Sequence, residues 1–294
     1  MDMTIIVDTD NSLLRNLREI SKRQKISTDL TGHLEQYFAH ADIAGIGEAS
    51  PEELHGAAIQ HHRLGQSRLP GQAVIAFYTP DFDRHGWHSA HTIVDIVTDD
   101  MPFLIDSITM LIYHQGLAIH RLMHPLLGVE RDASGKLLRS AELGSPNTLT
   151  ESWIHLEIDR VSDVRQIEAL RTEIVEVLAD VRAAVEDVAA MRQRINSAIA
   201  DLDRAPNAEA EEIAEYLRWI AAGNFVFLGY THYHVAAGDS ELKRAPDGGL
   251  GLLRRIDHPR FGRCLAGIPG QLADIERISS ALTHNRIIAG RGWM

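Results

Sequence analysis

The stretch that decides the fold is His91–Tyr113, which reads HTIVDIVTDDMPFLIDSITMLIY. Its first part, His91–Thr98, is rich in β-branched side chains and predicts a strand. The acidic loop Asp99–Pro102 follows it. Apolar residues at helical spacing over Phe103–Tyr113 then predict a helix that ends at Gly116. A strand, a short loop and a helix in this order begin an α/β unit.

Two further strands and a long helix extend this unit. Leu117–Arg131 predicts a long strand that turns at Asp132–Lys136, and Ser152–Asp159 alternates as a half-buried antiparallel strand does. An apolar stripe runs from Val164 to Ile199 without glycine or proline, as one helix or two end to end. The element order is that of a ferredoxin-like sheet with two helices, and the earlier strand Gln72–Tyr78 can supply its closing strand.

The flanking regions differ from this unit. Apolar stripes and the capping sequence Ser50-Pro51-Glu52-Glu53 predict helices over the first 70 residues. The long stripe indicates a spacer or an interface helix, with a coiled-coil seam as the alternative. A helix over Ala208–Ile220 and an aromatic strand over Phe225–His234 begin a further α/β module. We therefore predict an α+β fold with four parts: a helical segment 1–70, a ferredoxin-like domain 71–182, a helical spacer 183–206 and an incomplete module 207–294.

Composition excludes several classes of protein. The 294 residues are 45% hydrophobic and 24% charged, which is typical of a globular protein. A net charge of −12 argues against nucleic acid and anionic membranes as partners. The single cysteine allows no intrachain disulfide. The acidic start, Met1–Asp10, is not a signal peptide, and no apolar run is long enough to cross a bilayer, so we expect a cytoplasmic protein.

The candidate binding site is the loop between the first strand and helix of the unit. It consists of Asp99, Asp100, Met101, Pro102 and Phe103. The N–H groups at the helix N-terminus suit a carboxylate, and an aspartate can accept an ammonium group, so an amino acid is the matching ligand. The alternative is that the aspartates only cap the helix.

No catalytic, cofactor or metal site is predicted. His114, His120 and His124 lie close in sequence, but His120 and His124 are four apart on a predicted strand, where they lie roughly 13 Å apart and cannot share an ion. The segment Gly45–Ser50 resembles a dinucleotide loop, but no strand precedes it and its third glycine is replaced by serine. None of the four lysines lies in a glycine-rich segment. They are Lys22, Lys25, Lys136 and Lys243.

Several segments resemble, in the same order, the N-terminal region of the large bacterial NAD-dependent glutamate dehydrogenases. They are Glu35–Phe38, Pro51–Leu54, Ala57–Ala58, His91–Ser107, His124–Pro125, Thr150–Arg160, Glu215–Ile220 and Asn224–Tyr230. The resemblance implies that residues 71–182 form an ACT-like regulatory domain. It also implies a parent enzyme that converts L-glutamate, NAD and water to 2-oxoglutarate, ammonia and NADH in amino-acid catabolism. The resemblance fades past residue 265, which suggests a truncated, frameshifted or cut product.

The resemblance also implies partners. NAD belongs to the parent enzyme, whose catalytic domain is expected beyond this chain, so we expect no glutamate-dependent NADH production by the chain alone. The expected partners are other domains or subunits of a homo-oligomeric parent, and an amino acid as allosteric effector. Two alternatives remain: an oligomerisation scaffold that binds no effector, and a stand-alone amino-acid sensor.

Overall fold

A computed structural model of the protein describes residues 11–39, 49–204, 208–235, 242–244 and 249–254. The helices are α1 (Asn11–Arg23), α2 (Thr28–Ala39), α3 (Pro51–Leu64), α4 (Phe82–His85), α5 (Leu104–His114), α6 (Val164–Glu186), α7 (Val188–Leu202) and α8 (Ala208–Trp219). The strands are β1 (Val74–Tyr78), β2 (Thr92–Asp99), β3 (Ile119–Met123), β4 (Leu126–Arg131), β5 (Leu137–Ala141), β6 (Leu149–Ile158), β7 (Gly229–Tyr230), β8 (Tyr233–Val235), β9 (Leu242–Arg244) and β10 (Leu250–Gly251). The segment Gly45–Ser50, which resembles a dinucleotide loop, lies mostly outside the described residues. The single cysteine, Cys264, and the segment past residue 265 lie entirely outside them.

The chain divides into two compact units, Met1–Leu178 and Ala179–Met294, and the boundary falls inside α6. The first unit is built on a six-stranded sheet whose strand order is β1-β2-β6-β4-β5, with β3 also paired to β6. All of these pairs are antiparallel. The helices α5 and α6 follow β2 and β6 in the sequence, as in a ferredoxin-like unit. The α+β, ACT-like fold predicted from the sequence is confirmed.

The strand that closes the ferredoxin-like sheet is β1, which precedes the rest of that sheet in the sequence. Strand β1 pairs with β2 along its whole length, with Val74 opposite Val97 and Tyr78 opposite Ile93. It thus lies on the side of β2 away from β6, where the last strand of a ferredoxin-like unit pairs with the first. The order of elements along the chain is therefore permuted relative to that unit.

The long strand predicted over residues 117–131 is interrupted. Strands β3 and β4 pair with successive parts of β6, and the chain between them contains His124 and Pro125. Proline has no N–H to donate to a ladder, although the Pro125 carbonyl accepts a bond from the Trp153 N–H at 3.0 Å. The predicted turn is confirmed, because the Asp132 carboxylate accepts N–H bonds across it and Gly135 adopts φ +84°. Strand β5, which was not predicted, follows it.

Helices cover both faces of this sheet. On one face, the Arg171 guanidinium of α6 lies 5.2 Å from the centre of the Phe77 ring, and Gln115 of α5 bonds to Glu173 of α6. On the other face, apolar residues of α1, α2 and α3 form one core with strand residues. That core contains Leu17, Leu34, Tyr37, Phe38, Leu54, Ala58, Val97, Met123, Leu127, Val129, Leu137 and Trp153. The first unit thus has three layers, with the N-terminal helices forming the third.

Helix α3 approaches the sheet closely. It begins with the predicted capping box, in which Ser50 and Glu53 bond to each other's backbone N–H groups. It is followed by Gly65, where a Cβ atom would lie 2.1 Å from the Trp153 ring. A glycine is required here because the ring fills the space that any side chain would take.

The long apolar stripe forms two helices end to end. Helices α6 and α7 are separated at Asp187, whose carboxylate accepts a bond from the Gly251 N–H at 2.6 Å. Much of the stripe is already buried within this single chain, including Ile174 and Val181, whereas Val175 is half exposed. Burial of these residues therefore does not require a second subunit.

The second unit departs from the sequence prediction at its aromatic segment. The strand expected over Phe225–His234 is wrong, because only the short strands β7 and β8 form there. Phe227 instead packs with Met191 and Ile220, so part of the segment serves the core rather than a ladder. Among the described helices, none combines the length and apolarity needed to span a bilayer.

Candidate functional site in the β2–α5 loop and a buried polar cluster

The predicted binding loop joins β2 to α5. Phe103, directly before α5, has φ +72° and ψ 2°, a left-handed conformation that costs a bulky residue roughly 1–2 kcal/mol. The Phe103 side chain makes no cap hydrogen bond to α5. The N–H groups of a helix's first turn have no partner within the helix and are satisfied by caps, water or ligands.

The two aspartates of the loop make different contacts. The Asp99 carboxylate contacts the Arg68 guanidinium at 2.8 Å and accepts the Gly71 N–H at 2.8 Å. It therefore ties the loop to the segment after α3. Asp100 is exposed, and its Oδ1 accepts a bond from the Ser152 hydroxyl at 2.7 Å. Of the two, Asp100 is the more exposed to solvent.

Buried hydroxyl groups lie beside this loop. Thr98 and Ser152 are directly opposite each other on β2 and β6, so their side chains point to the same face of the sheet. Ser152 also contacts Nε2 of His124 at 3.0 Å. The Thr98 hydroxyl is buried without a hydrogen-bond partner among the described residues. An unpaired buried hydroxyl costs about 1–3 kcal/mol, so a bound polar group would relieve that cost.

On the opposite face of β6, Glu151 is held between two arginines. Its Oε1 lies 2.5 Å from Arg68 Nη2 and 2.6 Å from Arg131 Nε, and all three side chains are almost fully buried. The Trp153 indole also donates to Oε2 at 3.2 Å. The two guanidinium groups satisfy a carboxylate that burial alone would strongly disfavour.

Four residues further along β6, a second polar cluster joins three elements. It consists of His61 on α3, Asp95 on β2 and His155 on β6, each at most 1% exposed. The Nδ1 atoms of the two histidines lie 2.6 Å (His155) and 3.8 Å (His61) from Oδ1 of Asp95. Oδ2 of Asp95 accepts a bond from the Tyr78 hydroxyl at 2.8 Å.

The remaining ring nitrogens and their neighbours extend this cluster. Nε2 of His61 lies 3.2 Å from the Ile96 carbonyl, so it carries the proton and Nδ1 accepts from the Tyr37 hydroxyl at 2.9 Å. Nε2 of His155 is buried and has no hydrogen-bond partner in the part of the chain that the structure describes, and Oε1 of Glu157 is 3.8 Å away. Glu157 is in turn paired with the Arg121 guanidinium.

The charges of the cluster follow from these contacts. Burial opposes a charge on His155, but the Asp95 and Glu157 carboxylates outweigh it and raise its pKa to about 9. Burial also opposes the charge on Glu157, but His155 and Arg121 lower its pKa to about 2. For His61, burial is the largest influence on the pKa and lowers it. At neutral pH the cluster therefore holds an imidazolium between two carboxylates, beside a neutral His61.

The sequence analysis missed this cluster. Its members come from three elements separated by 34 and 60 residues, so no local spacing connects them. The available signal was Asp95 within a β-branched strand, where a charged residue needs a partner. Of the histidines that were considered, His120 stacks on His91 and pairs with Asp159, outside this cluster.

The sheet order, the two helices on one face and the loop at the N-terminus of α5 together define a domain of the ACT class. Residues 33–174 match the family model described as "Glutamate dehydrogenase, ACT1 domain". The chain is 31% identical over 264 residues to an NAD-specific glutamate dehydrogenase of Halomonas elongata, and 33% identical over 218 residues to that of Pseudomonas aeruginosa. A third relative, from Mycobacterium tuberculosis, is 30% identical over 202 residues.

These alignments cover 85%, 72% and 66% of this chain, but only 16%, 14% and 12% of the respective relatives. The chain therefore spans a small part of the length of the relatives it matches. With the matched ACT1 domain and these similarities, the chain belongs to the family of NAD-specific glutamate dehydrogenases.

Proposed function

We propose that this chain is a regulatory region of an NAD-dependent glutamate dehydrogenase and that its β2–α5 loop binds an amino-acid effector. The parent reaction is the oxidation of L-glutamate with NAD to 2-oxoglutarate and ammonia, in cytoplasmic amino-acid catabolism. The relatives support this assignment because they are NAD-specific glutamate dehydrogenases. The partners are other domains or subunits of a homo-oligomeric parent enzyme.

The observation that carries the effector proposal is the N-terminus of α5, where the left-handed Phe103 makes no side-chain cap bond. Backbone N–H groups at a helix N-terminus bind a carboxylate through hydrogen bonds and the helix dipole. A backbone outlier in a loop is a feature that functional sites retain despite its cost. The helix N-terminus therefore supplies the carboxylate subsite.

The other two groups of an amino acid find matching partners close by. The exposed Asp100 carboxylate accepts an α-ammonium, with its geometry fixed by the bond from Ser152. The unpartnered Thr98 hydroxyl is available to a polar group of the ligand. Because Asp99 is committed to Arg68 and Gly71, it holds the loop and is not the ammonium acceptor.

Titration calorimetry of the full chain with a panel of amino acids tests this proposal. We expect saturable heat for at least one amino acid, with a Kd on the order of 10 µM to 1 mM because few hydrogen bonds are available. Asp100→Ala should abolish the heat. Asp83→Ala is the matched control, since Asp83 is an exposed aspartate on α4. Heat that survives in Asp100→Ala would place the ligand elsewhere, and silence across the panel would favour the scaffold alternative.

A further inference from the structure

The buried cluster of His61, Asp95 and His155 has the dimensions of a cation site. One ligand atom of each side chain lies within 4.8 Å of the other two. Around a four-coordinate zinc ion with bonds of about 2.1 Å, neighbouring ligand atoms are about 3.4 Å apart. The two distances from Asp95 Oδ1 to histidine Nδ1 atoms, 2.6 and 3.8 Å, lie on either side of that value. Because the ligand atoms lie within 4.8 Å of one another, shifts of up to about 1.4 Å between them bring the cluster to the spacing of a coordination shell.

The outer nitrogen of His61 is held as in metal sites, and that of His155 lies near a carboxylate without a hydrogen bond to it. Nε2 of His61 donates to the Ile96 carbonyl, and Nε2 of His155 faces the Glu157 carboxylate at 3.8 Å. In metal sites the ring nitrogen that does not bind the ion usually donates to a backbone carbonyl or a carboxylate, which fixes the ring. Both Nδ1 atoms are thereby turned toward Asp95.

Two tyrosines complete the surroundings. The Tyr37 hydroxyl lies 2.9 Å from Nδ1 of His61, close enough to share an ion with that atom once the hydrogen bond between them is given up. The Tyr78 hydroxyl bonds to Oδ2 of Asp95, which leaves Oδ1 as the atom shared by the cluster. Two nitrogens, one carboxylate oxygen and one hydroxyl make four ligands from the protein alone.

We propose that His61, Asp95 and His155, with the Tyr37 hydroxyl as fourth ligand, bind a divalent transition-metal ion of the zinc class. Imidazole and carboxylate ligands suit zinc, and a shell filled by protein atoms is typical of a structural site. The ion fastens α3 to β2 and β6, and so joins the N-terminal helices to the ACT-like sheet.

Because all four ligands are buried, the ion is loaded while the chain folds. The test is therefore to unfold the full chain, refold it with EDTA or with zinc, and remove free metal before measuring metal content. We expect about one zinc ion per folded chain after refolding with zinc, and a Tm about 5–10 °C above that of the EDTA sample. Cobalt in place of zinc should give the intense visible absorption of a four-coordinate ion.

Variants separate this site from zinc held at the surface. Asp95→Asn keeps the size of the side chain and should abolish metal retention, while Tyr37→Phe keeps the ring and should weaken zinc affinity at least about tenfold. His62→Gln and His120→Gln are matched controls outside the cluster and should retain about one ion per chain.

Folded wild-type chain that retains no zinc after refolding with it would overturn the proposal. So would zinc that persists in Asp95→Asn and is lost in His120→Gln. If Asp95→Asn does not fold, Tyr37→Phe decides, and unchanged zinc affinity together with an unchanged cobalt spectrum would count against the site.

Discussion

At the scale of the residue, Glu151 is a buried carboxylate whose ion pairs contribute to the stability of the fold. Its oxygens are bonded to Arg68 and Arg131, and the three side chains are nearly fully buried. Removing one partner of a buried ionic group is costly because the other charges remain in a region of low dielectric. Glu130 and Arg139, by contrast, form a pair on the surface of β4 and β5.

The first prediction compares these two pairs. Glu151→Gln removes the carboxylate that Arg131 and Arg68 share, leaves Arg68 with only Asp99, and should lower the free energy of unfolding by about 3–5 kcal/mol. Glu130→Gln should change it by less than about 1 kcal/mol, because Arg139 is mostly exposed. Urea unfolding of both variants measures the difference. Equal changes in the free energy of unfolding would mean that buried Glu151 stabilises the fold no more than the surface residue Glu130 does.

The second prediction concerns His155 in the metal-free chain. Its folded pKa of about 9 exceeds the ordinary value of 6.5, so its stabilising contribution is complete below pH 6.5 and lost as the pH rises through 9. The groups that face it are Asp95, Glu157 and the neutral His61. Over that range the free energy of unfolding should fall by something on the order of 3 kcal/mol.

Urea titrations in EDTA between pH 6.5 and 9 measure this fall. His155→Gln should remove it, and the difference between wild type and variant cancels groups that titrate elsewhere in the chain. A wild-type profile parallel to that of the variant would show that His155 is not protonated in the folded state.

At the scale of the element, the packing of α3 on the sheet decides how the N-terminal helices join the ACT-like domain. Gly65 follows α3 and touches the Trp153 ring, whereas Gly32 in α2 has open space where a Cβ would lie. The same substitution should therefore have opposite signs at the two positions.

Gly65→Ala should destabilise the chain by about 1–3 kcal/mol through overpacking. Gly32→Ala should stabilise it by about 0.5–1 kcal/mol, because alanine restricts the unfolded chain and favours the helix. Thermal unfolding of the pair gives both values. A destabilising Gly32→Ala, or a neutral Gly65→Ala, would contradict the described packing of α2 and α3.

Local sequence signals predicted most elements of the first unit. Elements that are encoded by residues within a few positions of each other could be predicted. They are the capping box of α3, strand β2, helix α5 and the Asp132 turn. The break at Pro125 and strand β5 were missed because their strand character depends on pairing with β6 and β4. The predicted strand at Phe225–His234 was wrong because Phe227 contributes to a helical core instead.

At the scale of the whole molecule, the sequence left the position of β1 in the sheet open and did not predict the packing of the N-terminal helices as a third layer. The position of β1 beside β2 was an open alternative that only the paired register resolves. The buried cluster joins residues of α3, β2 and β6, so it exists only once the N-terminal helices lie on the sheet. The four-part domain division stays a prediction. The described contacts place the helices α1–α3 and the sheet in one compact unit.

The effector proposal is the central claim, and amide hydrogen exchange at the start of α5 tests it most directly. An amino-acid carboxylate bound there must bond to the N–H groups of Leu104–Asp106. At ligand concentrations tenfold above Kd, these amides should exchange about tenfold more slowly, and Asp100→Ala should remove that protection. Binding heat without protection at Leu104–Asp106, or protection that appears only elsewhere in the chain, would contradict the account.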